Sequence, residues 1–112
     1  MRPAMSVFLY EGDERFFGEG PYRLLVKIEQ KGSLRSAAME LGMSYSKAFG
    51  LLRKAEKVLG FPLTEKTIGG KGGGGSQLTK DAKEFLKKYE AYREACYAEN
   101  HRIYCEIFLG EQ

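Results

Sequence analysis

The sequence predicts a mainly α fold with small β elements, on three observations. Two short amphipathic segments, Leu34–Leu41 and Ser44–Leu59, meet at Gly42 with the spacing of two helices joined by a tight turn. Two strand-like stretches, Leu63–Ile68 and Ser76–Leu78, flank the glycine run Gly69–Gly75. A final segment from Lys80 to Leu109 repeats apolar residues at three-four spacing over about seven turns. With 112 residues, 43% of them hydrophobic and 29% charged, the chain suits one domain, 1–112, with a single core. Its longest apolar runs, such as Val7–Tyr10, fall far short of the ~20 residues of a membrane span, and no secretory signal is visible. Two cysteines build no disulfide framework, so a cytoplasmic location is expected.

Each element has its own warrant. Ser6–Tyr10 is rich in aromatic and β-branched residues, Arg15–Phe17 is its return, and Glu11–Glu14 supplies turn chemistry. A β-hairpin is therefore expected over 6–17. Gly18, Gly20 and Pro21 end the strand pattern, and Pro21 suits the first turn of a helix. Three helices are expected over 21–59. The first carries Leu24, Leu25 and Ile28 inward and stops at Gly32. Ser33 caps the second, which turns Ala37, Ala38 and Leu41 inward before Gly42. Ser44 caps the third, with Ala48, Leu51, Leu52, Ala55 and Leu59 on one face, and Gly60 and Pro62 end it. The strands around the glycine run make a hairpin over 63–78, and Thr79 caps the last helix, 80–109.

Charge is unevenly spread. The net charge is only +3, yet residues 31–80 hold nine basic groups against three acidic ones. A basic middle between mildly acidic ends is the footprint of a face that meets a polyanion.

The segment Leu34–Leu51 has the arithmetic of a helix-turn-helix. Ala38 lies four residues before Gly42, where a larger side chain would block a steep crossing, and Ala48 and Leu51 pack the second helix back on the first. The same spacing serves a helical hairpin in a small bundle. What favours double-stranded DNA is the crowd of polar groups at the exposed start of the third helix: Ser44, Tyr45, Ser46 and Lys47. Ser33, Arg35, Arg53 and Lys54 are the flanking candidates. In the glycine run, Lys71 and Gly72 suit close approach to a phosphate backbone. The run is not a nucleotide-binding phosphate loop, because Lys71 is followed by Gly72 where Ser or Thr is required.

No catalytic set is visible. His101 is the single histidine, and Cys96 and Cys105, nine apart on a helix, point to opposite sides. No metal, cofactor or small-molecule effector site is expected, and no enzyme. The last helix is longer than so small a core needs. Tyr89, Tyr92, Cys96 and Ile103 on its stripe are expected to pair two copies as a homodimer, although Glu99 and Glu106 interrupt a regular coiled coil.

Gly32-Ser33-Leu34 with Ala37-Ala38, Leu41-Gly42-Met43-Ser44-Tyr45 with Ala48-Phe49, the run Gly69–Gly75 with Lys71, and Leu78-Thr79 together carry a resemblance. The chain resembles, over about residues 6–92, the N-terminal DNA-binding domain of the molybdate-dependent transcriptional regulators (ModE), a winged helix-turn-helix related to that of LysR-type regulators. The resemblance implies a homodimer whose third helices occupy successive major grooves while the wings touch flanking backbone. Ser44–Lys47 and Lys71 fall on the matching positions. Two departures stand out: Phe49 replaces the tryptophan common there, and the oxyanion-binding domains of those regulators do not follow. A stand-alone form is the expectation. The sequence thus points to a winged helix-turn-helix regulator of transcription, with a winged-helix protein-interaction module as the alternative.

Overall fold

The computed structural model describes residues 1–67 and 75–111. Its elements run β1 (Leu9–Glu11), β2 (Glu14–Phe17), α1 (Glu19–Lys31), α2 (Leu34–Glu40), α3 (Tyr45–Leu59), β3 (Thr64–Thr67), β4 (Gly75–Leu78) and α4 (Lys80–Phe108). This is a mainly α winged helix with two small antiparallel sheets and a long C-terminal helix.

The N-terminal hairpin forms, but β1 starts at Leu9, not Ser6. Val7 is buried, and its carbonyl accepts a hydrogen bond from the Tyr89 hydroxyl at 2.8 Å, so this stretch is anchored on α4. Tyr10 pairs with Arg15 while Leu9 pairs with Phe17, which leaves Phe16 as the bulged residue. The bulge precedes the buried Phe17, whose ring meets Phe85 and Tyr89 edge-on at 4.8 and 4.7 Å.

Helix α1 begins at Glu19, two residues before the expected start. Gly18 occupies the N-cap, and Pro21 sits within the first turn, where its missing N–H is no loss. The two α2–α3 boundaries follow from serine caps. Ser33 Oγ accepts from the Ser36 amide at 2.9 Å, and Ser44 Oγ accepts from the Lys47 amide at 3.1 Å. Between them Gly42 takes φ of 71°, a left-handed turn that favours glycine. Ala37, Ala38 and Ala48 are buried at the crossing, where small side chains let α2 and α3 approach. Leu51 and Leu59 are only half-buried at the edge of the core, with Leu52 and Ala55 at its centre.

The core gathers Phe17, Leu24, Leu25, Ile28 and Leu63, all fully buried, with Leu86 and Tyr89 of α4 closing it. Leu63 packs there and does not join β3. β3 pairs with β4 from Thr64↔Leu78 to Thr67↔Gly75, and the Ser76 amide donates to the Gly32 carbonyl at 2.8 Å. That bond ties the wing strands to the end of α1. Ile68–Gly74, which include Lys71 and Gly72, lie outside the described residues. Thr79 locks the last junction: its Oγ1 accepts from the Ala82 amide at 3.1 Å and donates to the Pro62 carbonyl at 2.7 Å. The packing of α4 on the core continues to Cys96 and Tyr97, and the molecule's longest dimension is 58 Å.

Candidate nucleic-acid interface

What marks α3 out is its serine cap and its one exposed face. Ala48, Leu52 and Ala55 bury one face, so the opposite face is turned to solvent at Tyr45, Ser46, Phe49, Gly50, Arg53, Lys54 and Lys57. The Ser44 and Ser33 hydroxyl oxygens accept backbone amides, which leaves each O–H free to donate to an acceptor outside.

Along the side facing β3 and β4, two stacked rings lie in one row with a cation at each end. The Arg35 guanidinium lies 4.8 Å above the Tyr45 ring, Tyr45 stacks on Phe49 at 6.2 Å, and Arg53 lies 5.0 Å above Phe49. Tyr45 and Phe49 keep 44% and 42% exposure, too much for core residues of so small a protein. Tyr45, Phe49 and Arg53 of the row border a cleft of about 340 Å³ between α3 and the wing strands, lined also by Pro62, Lys66 and the carboxylates of Glu56 and Glu65. Arg53 is only loosely drawn to Glu56, at 3.8 Å. Lys47 and Lys54, seven residues apart, share the other flank of α3, beside the N-terminal hairpin. Among the described residues Arg35, Lys47 and Lys54 form no ion pair. The face is therefore rich in uncompensated positive charge, with planar groups between.

The structure thus brings Ser33, Arg35, Ser44, Tyr45, Ser46, Lys47, Arg53 and Lys54 to one end and two flanks of the helix pair. Lys71 and Gly72 lie outside the described residues. Phe49 joins the row as the ring between Tyr45 and Arg53, a role that its four-residue spacing from each could have signalled.

One sequence-based assignment on α4 is corrected. Tyr89 is 2% exposed, with its hydroxyl bound to Val7, so it belongs to the protomer's own core and not to an interface between copies. Cys96 is half-buried, while Tyr92 and Ile103 are exposed, and Ile107 and Phe108 extend the open apolar surface at 70% and 66%. Glu99 and Glu106 both pair with Arg102, at 2.8 and 2.9 Å, so the acidic breaks in the stripe neutralise a neighbour on the same helix.

Residues 21–83, from α1 through the wing strands into α4, match the family described as bacterial regulatory helix-turn-helix protein, lysR family. The chain belongs to that family. Within it, the chain is 45% identical over 74 residues to the molybdenum transport protein ModE of Herbaspirillum seropedicae, covering 66% of this chain and 26% of that one. It is 41% identical over 68 residues to the transcriptional regulator ModE of Haemophilus influenzae, covering 61% and 27%. With the DNA-binding transcriptional dual regulator ModE of Escherichia coli K12 the identity is 33% over 67 residues, covering 60% and 26%. The chain spans about a quarter of the length of these relatives. No helix of the described residues of this lysR-family chain is long and apolar enough to cross a membrane.

Proposed function

We propose that this chain is a sequence-specific double-stranded DNA-binding regulator of transcription that lays α3 in the major groove. The observation that carries the reading is the exposed start of α3, where Ser46 and Lys47 stand open to solvent beside the Arg35–Tyr45–Phe49–Arg53 row. A major groove about 12 Å wide admits one helix, and the first residues of that helix reach the base edges. Tyr45, Ser46 and Lys47 are the candidates for base edges and the adjacent phosphates; Ser33, Arg35, Arg53 and Lys54 flank them as phosphate contacts. Lys71 and Gly72 join the reading from the sequence alone, as the wing's backbone contact.

A homodimer completes it. One reading helix gives weak binding, whereas two helices about 34 Å apart engage successive grooves of a two-fold site. Tyr92, Ile103, Ile107 and Phe108, exposed beyond the core, give α4 an apolar surface to hold two copies together. Such a regulator works in the cytoplasm with the chromosome. Its relatives named for molybdenum transport and ModE regulation support a link to molybdate or related oxyanion metabolism.

Selection from a randomised duplex library tests the reading. Enrichment of an inverted repeat, with binding that weakens steeply as salt rises, is the expected result. Absence of enrichment together with salt-insensitive behaviour would favour a winged-helix protein-interaction module instead.

A further inference from the structure

The N-terminal hairpin lies outside the family-matched region, yet it packs β2 directly against α3. Between the two runs a cleft of about 280 Å³ lined by Phe8, Arg15, Glu19, Met43, Lys47 and Lys54 among others. Three of those groups are cations. The one carboxylate, Glu19, is engaged by Arg93 at 3.0 Å and Arg23 at 3.2 Å. Arg15, Lys47 and Lys54 have no acidic partner among the described residues, so the cleft is positive.

Arg15 is also held in place. Its guanidinium sits 4.4 Å from the centroid of the Phe8 ring. The ring in turn lies against Gly18, where an added Cβ would fall 2.5 Å from Phe8 Cδ1. Gly18 has an extended backbone, φ of 179°, so what glycine supplies there is room for the Phe8 ring and not a special conformation. The chain Gly18, Phe8, Arg15 therefore seats a planar cation on an aromatic platform at the edge of the reading helix. Stacking leaves the N–H edge of a guanidinium free to meet phosphate oxygens in a fork.

We propose that the N-terminal hairpin is a DNA-contacting element in which Arg15 binds a backbone phosphate beside Lys47 and Lys54. This rests on the DNA-binding reading above. With α3 in the major groove, the flank that carries Lys47 and Lys54 faces one bordering strand, and Arg15 extends the same footprint.

The test compares wild type with Arg15→Gln, Arg15→Lys and Lys47→Gln by fluorescence anisotropy on a selected and a scrambled duplex over a range of chloride concentrations. One lost phosphate contact lowers the magnitude of the salt slope by about 0.9. Arg15→Gln is expected to show that drop with the selected-to-scrambled affinity ratio unchanged, and Arg15→Lys to restore most of the slope. An unchanged slope in Arg15→Gln, with a reduced one in Lys47→Gln, overturns the hairpin contact and leaves the DNA-binding reading intact. If wild type shows no salt-dependent duplex binding, both fall. Inorganic phosphate at constant ionic strength is expected to displace duplex no better than chloride. Saturable displacement that Arg15→Gln abolishes would assign the cleft to a free anion and overturn the DNA contact.

Discussion

The Nη2 of Arg93, on α4, lies 3.0 and 3.2 Å from the two carboxylate oxygens of Glu19, in the first turn of α1. Arg93 lies between the rings of Tyr22 and Tyr97, at 4.9 and 4.8 Å. Beside it the Tyr22 hydroxyl donates to Glu90 at 2.9 Å. This clamp ties α4 to the first turns of α1. Arg93 Nε is buried without a hydrogen-bond partner, which offsets part of the gain. Arg93→Met is expected to lower stability by about 1 kcal/mol, the scale of a partly exposed ion pair with two ring contacts. Urea denaturation checks this; an unchanged midpoint would show that the clamp contributes nothing net.

Phe17 couples the hairpin to α4 through its edge-on contacts with Phe85 and Tyr89. Phe17→Ala is expected to destabilise the chain by about 3–5 kcal/mol, the usual range for truncating a buried ring. Circular dichroism on urea titration reads the loss.

Tyr45 and Lys47 are exposed and off the buried face of α3. Replacing both by alanine should remove about 2–4 kcal/mol of specific DNA binding, from two contacts of about 1–3 kcal/mol each. Thermal unfolding should shift little. Undiminished operator affinity in a folded double variant would remove α3 from the reading role.

Three of the four residues proposed to hold two copies together, all but Tyr92, lie beyond Tyr97. Truncation after Tyr97 keeps the Arg93 clamp and the core while removing Ile103, Ile107 and Phe108. Sedimentation equilibrium at micromolar concentration is expected to show a dimer for the full chain and a weakened one for the truncated form. Equal dimerisation of both would place the interface elsewhere.

Burial, joined by the hydrogen bond to Glu90, pushes the Tyr22 phenol above its ordinary 10.0, and burial is also the main cause raising Tyr89. A pKa raised on folding contributes stability that is fully present below the unfolded value and is lost as pH climbs through the folded one. Stability should therefore hold up to about pH 10 and fall above it, with Tyr22→Phe flattening part of the decline. Urea midpoints across alkaline pH, followed with tyrosinate absorbance, measure it. A Tyr22→Phe variant with an unaltered alkaline decline would contradict this origin.

Local chemistry explains which elements were legible from sequence. Ser33, Gly42 and Ser44 mark α2 and α3 because each acts within three or four residues of itself, through a cap or a left-handed turn. Gly18 and Gly20 misled because glycine reads as a breaker, whereas here Gly18 is the N-cap and opens α1 earlier. The strand pattern begins at Ser6, ahead of β1, because Val7 has strand chemistry but spends its carbonyl on Tyr89, 82 residues away. Tyr89 shows the limit of periodicity: an apolar stripe on a helix does not say whether its own body or a partner covers it. The candidate contacts divide the same way. The polar start of α3 is written in consecutive residues, while Arg15 meets Lys47 and Lys54 only once β2 has packed on α3.

Titration of a selected duplex into uniformly ¹⁵N-labelled protein, followed by amide chemical shifts, tests the central claim most directly. The account predicts saturable shifts concentrated at Ser44–Lys47 and along the exposed face of α3, with smaller ones at Arg35. Shifts confined to the far end of α4, or none at all at the start of α3, would contradict it.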